Sequence, residues 1–366
     1  MTKDKLNVML VDDSFIIRVI LKDLLEEDPQ KRFNVLERVD NGEKALYAIK
    51  AHMGEIDVVI MDIEMPVMNG LEAVKKIMKE CPVPIVMFSS LTKRGAQESI
   101  EAMRYGAVDV IAKPDGNRHM SAIREEIYNK LEYAGKYANV KNLRTPLAPV
   151  RTPDFSFTTK RNASNKLSNL IVIGSSTGGP NALRTMFSTL PAETPAGIIV
   201  IQHMPQGPFV KSIADRLDET VPFRVKIAEE GEIVEDGTIY FADAGKQLGV
   251  KKERGNLLCH YTDDDPITGH KPSVTYLFES VANENPDVPV YSIVATGMGS
   301  DGARGLQPLK QIGSTNLVES PDTTVIYGMP RKAKETGFSD YEERIEQLIP
   351  RICDLISKPN NTTSKR

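Results

Sequence analysis

Short apolar runs alternate with amphipathic helical stretches twice along the chain, and that alternation restricts the fold more than any other feature. From Leu6 the order is NVMLVDD, a helical stretch over Phe15 to Glu26, VVIMDIEMP, a second over Leu71 to Lys79, PIVMFSS, DVIAKP and a last helix near Ala122 to Tyr137. Runs of this length between helical periods predict parallel strands covered on both faces. The pattern restarts at NLIVIGSSTGGPNALRTMF and continues through AGIIVIQHMP, VPVYSIVATGMGSDGARGL and GSTNLVES. Between those runs, KIAEEGEIVEDGTIYFADAGKQLGVKKERGNLLCHY has shorter alternations and turn-like glycines, so an antiparallel hairpin region is expected there.

The expected class is α/β, with a doubly wound parallel-sheet domain over 5–137 and a second, Rossmann-like α/β domain over 168–356. The stretch 138–167 is rich in Pro, Ser, Thr and Asn without a sustained period and reads as a linker; 357–366 reads as a polar, frayed tail. A chain of 366 residues, 40% hydrophobic and 26% charged, can fill two such cores. Its net charge of −4 and lack of a basic block exclude nucleic acid and anionic lipid from the expected partners. Cys81, Cys259 and Cys353 stand far apart without C-x-x-C spacing, which suits a reducing cytoplasm and argues against a disulfide framework. The N-terminal apolar run is short and closes on two acids, so neither export nor membrane insertion is expected.

Chemistry gathers at strand ends, where open parallel sheets form their clefts. In the first unit Asp12 and Asp13, Asp62, Ser89 and Lys113 each follow an apolar run. An isolated Asp-Asp fits a loop or a helix cap equally well. Three converging carboxylates call for a hard divalent cation, and Mg²⁺ suits them because it keeps water and accepts phosphate oxygens. A lysine and a hydroxyl beside them would meet the remaining oxygens of a phosphoryl group on Asp62.

In this order the residues resemble the receiver domain of two-component response regulators. The resemblance implies phosphorylation of Asp62 by a histidine kinase, with Asp13, Asp62 and the Glu64 backbone carbonyl on Mg²⁺ and Asp12 assisting through water. It also implies that Ser89 and Lys113 sense the phosphoryl group and that the Lys113–Pro114 bond is cis. One departure is Val110, which stands where many receivers carry an aromatic reporter of activation.

In the second unit Ser176 lies in a small-residue turn between a strand and a helix, a setting that aims N–H groups at negative charge. Alone, GSSTGG would serve a phosphate or a dinucleotide as well, although it lacks G-x-G-x-x-G spacing and a P-loop lysine. His203 ends the GIIVIQ run, and Asp301 follows VYSIVATGMGS, where it fits an N-cap for a helix beginning near Ala303 as well as an orienting acid. Three strand ends delivering Ser, His and Asp supply a nucleophile, a proton acceptor and a carboxylate to fix the imidazole. Neither the chain order nor the absence of G-x-S-x-G fits the nucleophile-elbow hydrolases. His52, His119 and His260 read as helix-surface, loop and strand residues, and His270 as loop packing.

The runs IGSSTGGP, IVIQHMPQGPF, HKPSVTYLF, ATGMGSDGARGL and VIYGMPRKA resemble the catalytic domain of the chemotaxis-receptor methylesterases. This implies Ser176 as nucleophile, His203 as general base, Asp301 as orienting acid, the Met298 N–H as an oxyanion donor and Thr177 flanking the nucleophile. It implies hydrolysis of receptor glutamate methyl esters, deamidation of receptor glutamines, receptor substrates, and no cofactor in this domain. Lys271 and Thr275 replace the family's usual arginine and aspartate, at positions expected to face substrate or packing. VESPDTTVIYGMP is a loose version of the usual run. A receiver-controlled binding module without covalent chemistry is the alternative, and a DNA-binding output lacks a basic recognition helix.

Overall fold

Five strands and seven strands build two separate parallel sheets in the computed structural model, which describes residues 5–114, 120–144 and 166–358. Most of the expected linker and all but the first two residues of the expected tail lie outside the described residues, as does His119.

The first unit runs β1 (Leu6–Val11), α1 (Phe15–Glu26), β2 (Phe33–Val39), α2 (Gly42–Ala51), β3 (Val58–Asp62), α3 (Gly70–Glu80), β4 (Ile85–Ser89), α4 (Lys93–Arg104), β5 (Asp109–Ala112), a 3-10 turn (Met120–Ile123), α5 (Arg124–Tyr137) and α6 (Val140–Arg144). Its strand order is β2-β1-β3-β4-β5, every pairing parallel. β3 and β4 are buried at every residue, which explains their uninterrupted apolar runs. Ser14, Asn41, Asn69 and Thr92 cap the starts of α1 to α4 with side-chain oxygens. The chain direction across the sheet reverses between β1 and β3, so the ends of those strands open a cleft.

The second unit runs β6 (Leu170–Ser175), α7 (Gly179–Phe187), β7 (Gly197–Gln202), α8 (Phe209–Asp218), β8 (Arg224–Ile227), β9 (Thr238–Phe241), β10 (Gln247–Glu253), β11 (Asn256–Thr262), α9 (Val274–Glu284), β12 (Val290–Val294), α10 (Leu306–Gln311), β13 (Thr315–Glu319), α11 (Met329–Glu335), β14 (Tyr341–Glu343), a 3-10 turn (Ile345–Gln347) and α12 (Leu348–Ser357). Its sheet order is β14-β13-β12-β6-β7-β9-β8, again wholly parallel. The antiparallel hairpin is confined to β10 and β11, because β8 and β9 join the parallel sheet. The hairpin seats on α9, where the Ser280 hydroxyl accepts the Val250 N–H at 2.8 Å and donates to its carbonyl at 3.0 Å. β6 is central and fully buried, and the strand order switches direction on its β12 side.

Among the described residues the one cis peptide bond is Lys271–Pro272. Lys113–Pro114 is therefore trans, against expectation; the two isomers of such a bond differ by only about 0.5–1 kcal/mol, so local context decides. No helix of the described residues is long and apolar enough to cross a membrane.

Candidate active site and phosphoacceptor site

At the first switch point β1 delivers Asp12 and Asp13, and β3 ends on Asp62; ligand oxygens of the three lie within 4.8 Å of one another. Asp12 and Asp62 are buried, Asp13 and Glu64 exposed. Lys113 follows β5 and reaches back, its Nζ 2.8 Å from both Asp12 Oδ2 and Asp62 Oδ2. Burial pushes the Asp62 carboxyl up to about 6, against the pull of Lys113. Ser89 is fully buried at the end of β4, and its carbonyl accepts the Lys113 N–H at 2.7 Å. Ser89 and Lys113 are thus held backbone to backbone at neighbouring strand ends. Three clustered carboxylates with one exposed member suit a hard, partly hydrated cation. Val110 is completely buried and offers no aromatic ring to swing outward.

At the second switch point β6 carries Ser176 just past its end. The turn that follows demands glycine twice. Gly178 takes φ 80° at the start of α7, and a Cβ on Gly179 would lie 1.9 Å from Gln202 Oε1. Gln202 fills that space. It accepts the Ser175 hydroxyl at 2.6 Å and donates from Nε2 to the carbonyls of Ser176 at 2.9 Å and His203 at 3.0 Å. One buried amide therefore ties the serine turn to the histidine, a role not visible from the sequence except as a polar residue ending an apolar strand.

His203 Nε2 lies 2.9 Å from Asp301 Oδ2, and its Nδ1 is buried without a hydrogen-bond partner among the described residues. Asp301 is fully buried and does not cap the helix after it, which starts only at Leu306. It lies instead at the N-terminus of α9, accepting from the Ser273 hydroxyl (2.8 Å) and the N–H groups of Val274 (2.7 Å) and Thr275 (3.0 Å), and from Gly302 N–H (3.0 Å). Burial alone would raise its carboxyl; the His203 bond and the Thr275 donors outweigh that and hold it well below the usual carboxylate range. An ionised carboxylate can only accept, so the hydrogen bond between the two side chains is donated by Nε2 to Oδ2.

One sequence expectation changes here. Thr275 is not a substrate-side position: besides its N–H on Asp301, its hydroxyl accepts the Gly302 N–H at 2.8 Å, so it braces the acid directly. His270 packs as expected, and its packing partner is His203. Its ring stacks on that of His203, centroids 3.8 Å apart and planes 10° from parallel. Lys271 points to the surface loop, donating to the Asp263 carbonyl at 2.8 Å. Thr177 is buried next to Ser176, and the half-buried Met298 sits in the loop after β12. That loop is pinned by Gly297, whose N–H donates to the Ile326 carbonyl (3.1 Å) and whose carbonyl accepts the Met329 N–H (2.8 Å).

Known proteins carry the same arrangement of parts. A family model described as CheB methylesterase matches residues 171–352, and the response regulator receiver domain model matches 8–124. The protein-glutamate methylesterase/protein-glutamine glutaminase of Geobacillus kaustophilus is 40% identical over 358 residues, covering 96% of this chain and 99% of that protein. The chain belongs to the CheB methylesterase family. The Thermotoga maritima member of the same name is 38% identical across 97% of this chain and 100% of its own length. The crystal structure of the Thermotoga maritima CheB methylesterase catalytic domain aligns over 52% of this chain and all of its own, at 36% identity and a TM-score of 0.50. CheB family membership therefore rests on both units together, receiver and catalytic domain in the same order.

Proposed function

We propose that this CheB-family chain is a protein-glutamate methylesterase controlled by phosphorylation, with Ser176, His203 and Asp301 as its triad and Asp62 as its phosphoacceptor. The proposed domain bounds are 5–137 for the receiver and 168–356 for the catalytic domain. The observation that carries the reading is the buried His203–Asp301 pair, one imidazole nitrogen committed to the acid and the other left as a base beside the serine turn.

In the proposed reaction His203 Nδ1 takes the Ser176 proton while Oγ attacks the ester carbon of a methylated receptor glutamate. The oxyanion that forms is met by backbone N–H groups at Met298 and around Thr177, each worth roughly 2.7–4 kcal/mol in the transition state. The imidazolium returns its proton to the departing methoxide, which leaves as methanol. Water, deprotonated by the same nitrogen, then splits the acyl-serine and restores the glutamate carboxylate. A glutamine side chain fits the same sequence of steps with ammonia as the leaving group.

On the receiver, Mg²⁺ would be held by Asp12, Asp13, Asp62 and the Glu64 carbonyl, and it neutralises phosphoryl oxygens when bound. Asp62 accepts the phosphoryl group from a chemotaxis histidine kinase, and Lys113 and Ser89 receive its oxygens. Asp62→Asn keeps the shape and removes the acceptor. The expected result is that a small phosphodonor raises methanol release in the wild type and has no effect on Asp62→Asn, with the basal rates equal. Stimulation that survives the substitution contradicts the assignment.

A further inference from the structure

Glu319 ends β13 at 1% exposure, a buried carboxyl that the proposed reaction does not use. Its Oε2 accepts the Thr296 N–H at 2.7 Å and its Oε1 the Thr323 hydroxyl at 2.9 Å. Thr296 is a junction. Its carbonyl accepts the Ser176 N–H at 3.0 Å, and its hydroxyl donates to the Thr177 carbonyl at 3.0 Å while accepting the Ile326 N–H at 3.0 Å. The next residue, Gly297, opens the loop that bears Met298. One carboxylate thus stands a single residue away from the nucleophile's backbone, the Thr177 flank and the oxyanion loop.

We propose that Glu319 is a positioning residue for the hydrolysis, its carboxylate anchoring Thr296 and, through Thr296, both the Ser176 turn and the Met298 loop. This deepens the triad reading and rests on it.

The ionised form suits the task because both oxygens act as acceptors. A proton turns one of them into a donor, and either the Thr296 N–H or the Thr323 hydroxyl then loses its acceptor. The Thr323 oxygen already accepts the Ile345 N–H at 3.1 Å, which limits how it can reorient. Burial first, then the charge of Glu346, push the Glu319 carboxyl up to about 7, with the Thr296 and Thr323 bonds opposing. The other charged groups around it are already paired: Glu343, on the neighbouring β14, with Arg351 at 2.6 Å, and Glu346 itself with Arg344 at 2.6 Å. Asp322 lies in the loop that follows Glu319.

A folded pKa raised above the ordinary carboxyl value of 4.5 means that the native state holds this proton more tightly than the unfolded chain does. The resulting stability is fully present below that ordinary value and is lost as pH rises through about 7. Above about 7 the carboxylate is held ionised there at a cost to stability.

The test compares Glu319→Gln and Glu319→Leu with wild type in methanol release from methylated receptor, from about pH 5 to about pH 9. Gln can still accept the Thr296 N–H but cannot ionise. Like the protonated carboxyl, it offers one acceptor and one donor, so its kcat plateau should fall about three- to tenfold below wild type, its acid limb should record one proton loss where the wild type records two, and its thermal midpoint should gain on wild type as pH rises. Leu removes the acceptor, and kcat should fall roughly ten- to a hundredfold with KM unchanged. An acid limb in Glu319→Gln as steep as the wild type's, or a Glu319→Leu enzyme with wild-type kcat, overturns the proposal. Should Leu fail to fold, the Gln profile alone decides. Ser176→Ala run alongside separates the cases: activity surviving there would instead remove the triad reading beneath it.

Discussion

Ser176→Ala is expected to lower methanol release from methylated receptor by about four orders of magnitude or more, with substrate binding nearly unchanged. A serine hydroxyl is a poor nucleophile until a base takes its proton, and the only buried imidazole nitrogen left without a partner among the described residues is His203 Nδ1. The turn itself should survive, because what holds it is backbone and Gln202: the Ser176 N–H on Thr296, its carbonyl on the Gly179 N–H and Gln202 Nε2. Alanine disturbs none of these bonds, so the loss would be chemical and the thermal midpoint should stay within a degree or two of wild type. Whatever slow hydrolysis remained would come from the oxyanion donors and from substrate positioning.

Asp301→Asn is expected to cost about four orders of magnitude in kcat for a different reason, and to destabilise the fold as well. The carboxylate accepts four bonds from the chain in addition to the one from His203. An asparagine has one acceptor oxygen and an amide that donates, so wherever it turns, its NH₂ faces donors. If the amide faces His203, the imidazole is driven to the tautomer protonated on Nδ1 and can no longer take the serine proton. If it faces α9, buried N–H groups lose their acceptor at about 1–3 kcal/mol each. The two effects separate by measurement: kcat falls at every pH, while the lower thermal midpoint is seen without substrate. The pH dependence has a definite sign. The Asp301 carboxyl is held below its ordinary value of 3.8, so its contribution to stability is present above that value and lost as pH falls toward its lower native pKa.

Strand cores were the legible part of the fold. LIVIG, GIIVI and VVIM are continuous apolar runs because both faces of each strand are covered, and α1 occupies the stretch from Phe15 to Glu26 that its period predicts. β2 was not legible. As an edge strand it mixes exposed Asn34 and Arg38 with buried Phe33, and the mixture breaks any apolar run. β9 falls within the stretch expected to form a hairpin because it is only four residues long, and nothing local tells a short strand that pairs in parallel from one arm of a hairpin.

The site divides in the same way. Ser176, His203 and Asp301 could be named because each is a reactive type at a strand end. Gln202, Thr296, Ser273, Thr275 and Glu319 could not, because they act through hydrogen bonds to distant segments, and a sequence carries no mark of those. Position relative to a strand end signals chemistry. The support beneath it depends on three-dimensional pairing, and so does the choice of His203 as the ring that His270 packs against.

The most direct measurement is covalent labelling with a fluorophosphonate probe, read by peptide mapping. A single labelled serine, Ser176, is expected in the wild type, with that label lost in His203→Ala although the folded protein is intact. Labelling at another residue, or labelling of Ser176 at the wild-type rate without His203, would contradict a nucleophile activated by this imidazole.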